Sequence, residues 1–204
     1  MAVPRFRVAM LAVVAVAVAA CSKKENYGVD TTAAASGTMS GMDTTGMAAS
    51  STGTSGNWSD ANIFALLDEA NMADSSAGAI AATKGTSSSV RSFAKRMERD
   101  HHTLRAQGQA LAKKLNITPA APSDDPVTSM AQNETNTLNS TAKGKDFDKA
   151  YVDAEVDAHK AVLDLATKAA GQTQTAELKN LIQKAAPVVQ AHLTLVESIQ
   201  KKLQ

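Results

Sequence analysis

The chain has 204 residues, with 21 basic against 20 acidic side chains, a net charge of +1 and one cysteine. Balanced charge excludes the concentrated positive field that nucleic acid requires, and a single cysteine excludes both a disulfide scaffold and a multi-cysteine metal site. Aromatic residues are only 3% of the chain and alanine is plentiful, which favours close-packed helices over sheet.

Residues 1–20 read as an export signal. Arg5 and Arg7 give a positive start, and the run from Val8 to Ala20 is apolar throughout. A membrane-spanning helix needs about 20 such residues, so the run has the length of a signal core. Small Ala19 and Ala20 lead directly to Cys21. This placement predicts cleavage before Cys21 and lipid on its thiol, making a membrane the expected partner. Ser22 after the cysteine matches outer-membrane sorting in a Gram-negative envelope, on the periplasmic side. The alternative is an ordinary cleaved signal that leaves a free thiol. Loss of residues 1–20 removes only Arg5 and Arg7 and keeps the charge near balance.

From Cys21 to Asn57 the chain is rich in Ser, Thr, Gly, Ala and Met, with no apolar period. Such a segment cannot bury enough surface to offset its ordering entropy, so a disordered tether is expected. A flexible linker of this length spans roughly 30–36 Å. Met39, Met42 and Met47 cluster within it. Thioethers suit Cu(I), although methionine is also simply tolerated in low-complexity tails.

The pattern changes at Trp58. Helix one is expected from about Ser59 to Lys84, with Ser59 as N-cap and Gly85 as stop. Helix two runs from about Ser88 to Leu115. A shorter helix opens at Asp125-Pro126, a cap followed by a first-position proline, and fades near Lys143-Gly144. Helix three spans about Asp146 to Ala170 before Gly171, and helix four about Thr175 to Leu203. The predicted fold class is all-α: residues 58–204 form an antiparallel four-helix bundle with an extra short helix between helices two and three.

Each long helix carries one ionisable residue on or beside its apolar stripe. Helix two reads Val90, Ala94, Met97, His101, Leu104, Gly108, Leu111, Leu115, a coiled-coil-like seam with His101 inside. Helix four reads Leu178, Leu181, Ala185, Val188, His192, Leu195, Ile199. Helix one reads Ile63, Leu67, Ala70, Asp74, Ala77, Ala81. In helix three His159 edges the face of Val152, Val156 and Leu163, with Glu155 one turn earlier. Of the four histidines only His102 should face water. A carboxylate or imidazole in an apolar seam is costly unless paired or bound to metal.

The segments Arg96-Met97-Glu98-Arg99-Asp100-His101 and Phe147-Asp148-Lys149-Ala150-Tyr151, the latter leading to His159, and Pro187 followed by His192 resemble a bacterial ferritin-like domain-of-unknown-function family. Its members are predicted secreted or outer-membrane proteins. The resemblance covers about residues 58–204 and implies a ferritin-like bundle in the envelope, with no agreed activity. The family's helix one tends to carry Glu where this chain has Asp74.

Di-iron bundles take a Glu from each of two helices and Glu-x-x-His from each of the other two. Glu98–His101 matches once, but Val189 stands three residues before His192, so a working ferroxidase centre is not expected. A single divalent transition-metal ion on some of Asp74, Glu98, His101, Glu155, His159 and His192 remains open. Counted from the connecting turns, His101 stands roughly 6 Å beyond Asp74, and His192 roughly 10 Å beyond His159. A structural polar layer is the other reading of these residues. No glycine-rich phosphate loop, Gly-x-Ser-x-Gly elbow or other catalytic constellation is present, so no catalytic residue is assigned. The leading functional reading is a non-enzymatic envelope lipoprotein with a binding or structural role. A metal-binding or metal-buffering protein comes second, and a ferritin-type oxidoreductase is the distant third.

Overall fold

The structure, a computed structural model, describes residues 56–204. The signal, Cys21 and the methionines of the tether lie outside the described residues. Five helices follow in order: α1 Asp60–Lys84, α2 Ser88–Lys114, α3 Pro126–Ser140, α4 Lys145–Gln172 and α5 Ala176–Leu203. There is no strand among the described residues.

Local chemistry sets most boundaries. Ser59 and Asn62 form a reciprocal capping box: the Asn62 N–H donates to Ser59 Oγ at 3.2 Å, and the Ser59 N–H donates to Asn62 Oδ1 at 3.0 Å. This satisfies two of the free donors at the start of α1. Asp125 accepts from the Val127 and Thr128 amides, and Pro126 fills the first turn of α3, where its missing N–H costs nothing. Gly171 does not stop α4, as its type had suggested. The helix passes through it to Gln172, and Thr173 then donates from Oγ1 to Asp60 Oδ1 at 2.6 Å, tying the α4–α5 turn to the start of α1. Packing of Ala166 and Ala169 in the core outweighs the ~1 kcal/mol helix penalty of one glycine. Pro187 lies on the exposed side of α5, and the helix continues on both sides of it.

Helix α1 packs along α2, and α4 along α5; α2 also meets α5 and α1 meets α4, closing a bundle of four long helices, with α3 lying against α1 and α4. Gly78 sets the approach of α1 to α2. A Cβ there would stand 2.7 Å from the Ala94 carbonyl oxygen and 2.8 Å from the Glu98 amide nitrogen.

Two apolar clusters fill the bundle. One gathers Ile63, Leu66, Val162, Leu178 and Ile182, and the other Val90, Phe93, Met97, Phe147, Val152, Val196 and Ile199. Each such fully buried side chain contributes about 1.5–3 kcal/mol by leaving water. Between the clusters lies a buried polar layer of Asp74, His101, Glu155, His159 and His192.

The seam of α5 departs from the expected one. Ile182, Val189 and Val196 are buried, while Val188 is exposed. Leu178, His192 and Ile199 belong to both versions of the heptad. The intermediate positions fall one residue later, and apolar neighbours at 181/182, 188/189 and 195/196 leave the two phases indistinguishable by hydropathy.

Candidate metal centre

Three helices deliver one histidine each to a common point: His101 from α2, His159 from α4 and His192 from α5. Their ring centroids are 5.5 Å apart for His101–His159, 5.2 Å for His101–His192 and 5.6 Å for His159–His192. All three are buried, and one nitrogen of each lies within 4.8 Å of the others.

One nitrogen of each ring is held from behind. His101 Nδ1 sits 3.0 Å from Asn71 Oδ1 and 3.2 Å from Asp74 Oδ2, both on α1. His159 Nδ1 sits 2.9 Å from the Glu155 carbonyl oxygen, one turn earlier on α4. His192 Nε2 sits 3.1 Å from Asp100 Oδ2 on α2. Each of these partners is an acceptor, so each held nitrogen carries the proton and the other carries the lone pair. Those other nitrogens, His101 Nε2, His159 Nε2 and His192 Nδ1, are buried without a hydrogen-bond partner. Orphaned imidazole lone pairs backed by carboxylates and carbonyls are the arrangement that metal-ligating histidines require. Three imidazoles suit zinc, copper, iron or nickel, so the residues fit a transition-metal ion.

Electrostatics keeps the lone pairs available. Burial pushes His101 down to about 3, with the neighbouring His159 adding to the shift and Asp100 opposing it. Burial likewise takes His192 down to about 4 despite its bond to Asp100. Burial on its own would raise Asp100, but the hydrogen bond to His192 and the charge of Arg99 hold it below the ordinary carboxylate range.

A second group adjoins the first. Single donor atoms of Asp74, Glu155 and His159 also lie within 4.8 Å of one another. Glu155 Oε2 is 3.2 Å from His159 Nδ1, but that N–H points at the Glu155 carbonyl, and neither Glu155 carboxylate oxygen has a hydrogen bond. Burial raises Asp74 to about 6, with the His159 charge opposing. Burial and then the Asp74 charge push Glu155 well above its ordinary value, with the neighbouring Tyr151 hydroxyl opposing.

Of the residues expected in the site, Asp74, His101, Glu155, His159 and His192 meet in the core, and His102 faces water. Glu98 does not join them. It is exposed, because one residue past the buried Met97 turns about 100° around the helix. The expected height mismatch also closes. Cα–Cβ bonds tilt toward each helix's N-terminus. Side chains of α2 and α5 therefore lean toward their connecting turns, while those of α1 and α4 lean away.

Asp100 and Asn71 hold site histidines without having been singled out, and Tyr151 and Glu134 are further buried polar side chains of the core. Asp100 and Tyr151 lie in the segments that carry the family resemblance, and Glu134 had a signal of its own: with Val127 and Leu138 it occupies a heptad position on the buried face of α3.

The fold is similar to that of CopM in its Cu(II)-bound form, with a TM-score of 0.60 and 12% identity over 72% of this chain and 99% of that one. At that identity the likeness is one of fold. No curated protein matches the sequence. The family described as "Domain of unknown function (DUF4142)" matches residues 43–199, and since that span is most of the chain, the protein belongs to this family.

Proposed function

We propose that this protein is a metal-binding lipoprotein of the bacterial cell envelope, holding a divalent transition-metal ion on His101, His159 and His192. One observation carries the reading: three buried imidazoles from three helices bring a nitrogen each to within 4.8 Å of the others, and each ring has one nitrogen fixed by an acceptor and the other bare. A purely structural polar layer accounts for the outer hydrogen bonds. It leaves three inner nitrogens unsatisfied, a penalty of about 1–3 kcal/mol each. The fold likeness to a protein solved with Cu(II) bound supports the same reading, with copper or zinc as the preferred ion.

The bundle is of the ferritin-like kind in this proposal, but Val189 stands where a second Glu-x-x-His motif would need its carboxylate. Binding or buffering of metal is therefore favoured over ferroxidase activity. The segment up to Ala20 and Cys21 supply export and the lipid anchor, with the outer membrane as the proposed location and the bundle facing the periplasm. The test is metal analysis of the full chain purified in detergent, followed by titration with Zn2+ and Cu2+. The reading expects one tightly held ion per chain, weakened strongly by His101→Ala or His192→Ala. Absence of a stoichiometric ion, or indifference to both substitutions, rejects it.

A further inference from the structure

The two seams that close the bundle are treated differently. Helix α3 lies over the one between α1 and α4, whereas no helix among the described residues lies over the one between α2 and α5. The heptad of α5 shows what this leaves open. Leu181, Ala185, Val188 and Leu195 keep its spacing, yet none is buried: Val188 is 37% exposed and the other three are half-buried. The core takes Ile182, Val189 and Val196 instead, so α5 carries a second apolar stripe beside the first. Leu181 and Ala185 line an apolar cavity of about 60 Å³ with Leu104 and Gly108 of α2. Further along the same seam, Leu195 lines a groove of about 430 Å³ with Phe93 of α2 and Ile199 of α5. Apolar side chains at helical spacing that a fold leaves partly outside its core suit the apolar face of another helix.

The groove also carries charge of one sign. Arg96 and Arg99 of α2 and Lys202 of α5 line it, and no carboxylate does. The whole chain is nearly balanced, with 21 basic against 20 acidic residues, so this charge is a local concentration. Asp100 at the inner end pairs with Arg99 Nη2 at 3.0 Å and Arg96 Nε at 3.6 Å. Three cations less this one anion leave two positive charges in excess. A field of that sign attracts an acidic partner and repels a basic one. The groove sits where α2 begins and α5 ends. The chain joins the bundle at the opposite end, where the Trp58 N–H donates to Gln172 Oε1 at 2.8 Å beside the α4–α5 turn. That distance from the tether favours a protein segment over the anchoring membrane.

We propose that the α2–α5 seam docks an acidic amphipathic helix of a partner protein, placed over α2 and α5 as α3 is placed over α1 and α4. Apolar side chains of the partner cover Val188 and Leu195, and its carboxylates engage Arg96, Arg99 and Lys202. Docking is coupled to the ion, and this part rests on the metal-binding reading above. Asp100 touches the groove's arginines on one side and His192 Nε2, at 3.1 Å, on the other. Partner carboxylates that draw Arg96 and Arg99 away remove the brace from the residue that orients His192. Helix and ion therefore weaken each other by the same factor, so arrival of the partner favours release of the metal.

The test uses the full chain in detergent, with empty micelles as the baseline. The probe is a labelled, helix-stapled peptide with leucine on one face and glutamate on the other, read by fluorescence anisotropy. Metal-free protein should bind it saturably and ignore the same peptide with lysine for glutamate. Lys202→Glu should weaken binding about tenfold, and Val188→Ser should weaken it too. Lys179→Glu, an equal charge change at the exposed far end of α5, should not. Circular dichroism confirms that each variant is folded. Loading with Zn2+ should weaken the peptide, and saturating peptide should weaken Zn2+ to the same extent. No saturable binding, equal binding of the lysine peptide, or indifference to both seam substitutions overturns the docking site. Binding of phosphatidylglycerol vesicles without binding of the peptide overturns it in favour of a lipid surface. Equal peptide affinity with and without Zn2+, in a chain that holds zinc, overturns the coupling. Peptide binding by a chain that holds no zinc supports the docking site and rejects the three-histidine reading.

Discussion

His192 Nε2 and Asp100 Oδ2 stand 3.1 Å apart across the contact between α5 and α2. The bond fixes which nitrogen of His192 is bare, and so which one can bind an ion. Asp100 is itself braced by Arg99 Nη2 at 3.0 Å and Arg96 Nε at 3.6 Å. The side chain of Asp100 is a quarter exposed, so the pair sits where the buried layer meets solvent. Asp100→Ala frees the ring to turn. Metal affinity should fall about 10–100-fold with little change in melting temperature. Competition titration against a chelating dye measures the first and circular dichroism the second.

The metal-free protein should have an asymmetric pH–stability profile. His101 and His192 take up protons in the unfolded chain near 6.5 but stay neutral in the fold down to about 3 and 4. Stability is therefore lost as pH falls below 6.5, because the unfolded state binds more protons. Glu134 acts the other way: the unfolded chain ionises it above 4.5, the fold only near 9. Asp74 adds to this between 3.8 and about 6. Above pH 6.5 the raised Glu134 and Glu155 dominate, so the melting temperature should decline steadily toward pH 9. Glu134→Gln should flatten that decline. A melt that rises over this range in the wild type would contradict the burial of Glu134 and Glu155.

Gly78→Ala should loosen the α1–α2 contact. The new Cβ would meet backbone atoms of Ala94 and Glu98 at 2.7 and 2.8 Å, and backbone cannot rotate away as a side chain can. The expected loss is about 1–3 kcal/mol, visible as an earlier denaturation midpoint. Metal affinity should also weaken, because Asp74 and Asn71 on α1 hold His101 on α2. Gly108→Ala is the control, since a Cβ there meets nothing within 4 Å.

Cys21 governs location in this account. Labelling cells with a radioactive fatty acid should mark the wild-type chain, and Cys21→Ala should abolish the label and release the protein from the membrane fraction. Label that survives the substitution would refute the anchor.

The helices were legible because their signals are local. Ser59, and Asp125 with Pro126, mark ends by side-chain chemistry, and the inward placement of His101 and His192 followed from seven-residue spacing alone. What escaped the sequence depends on a second helix. Asp100 serves His192 of α5 rather than its neighbour His101, and no periodicity within α2 reveals that. Glu98 fitted the i, i+3 motif but lies beyond the edge of the buried face. The phase of α5 was hidden because Val188 and Val189 are equally apolar, and only contact with the other helices chooses between them. Glu134 was overlooked on a short helix whose burial against α1 and α4 decides its environment.

The most direct test of the three-histidine centre is electron paramagnetic resonance of the full chain with one equivalent of Cu2+. The account predicts a single species whose hyperfine pattern reports several nitrogen ligands. His101→Ala and His192→Ala should each alter or abolish it, while His102→Ala, at an exposed position, should leave it unchanged. A spectrum of free or oxygen-ligated copper in the wild type, or one that survives both core substitutions, would contradict it.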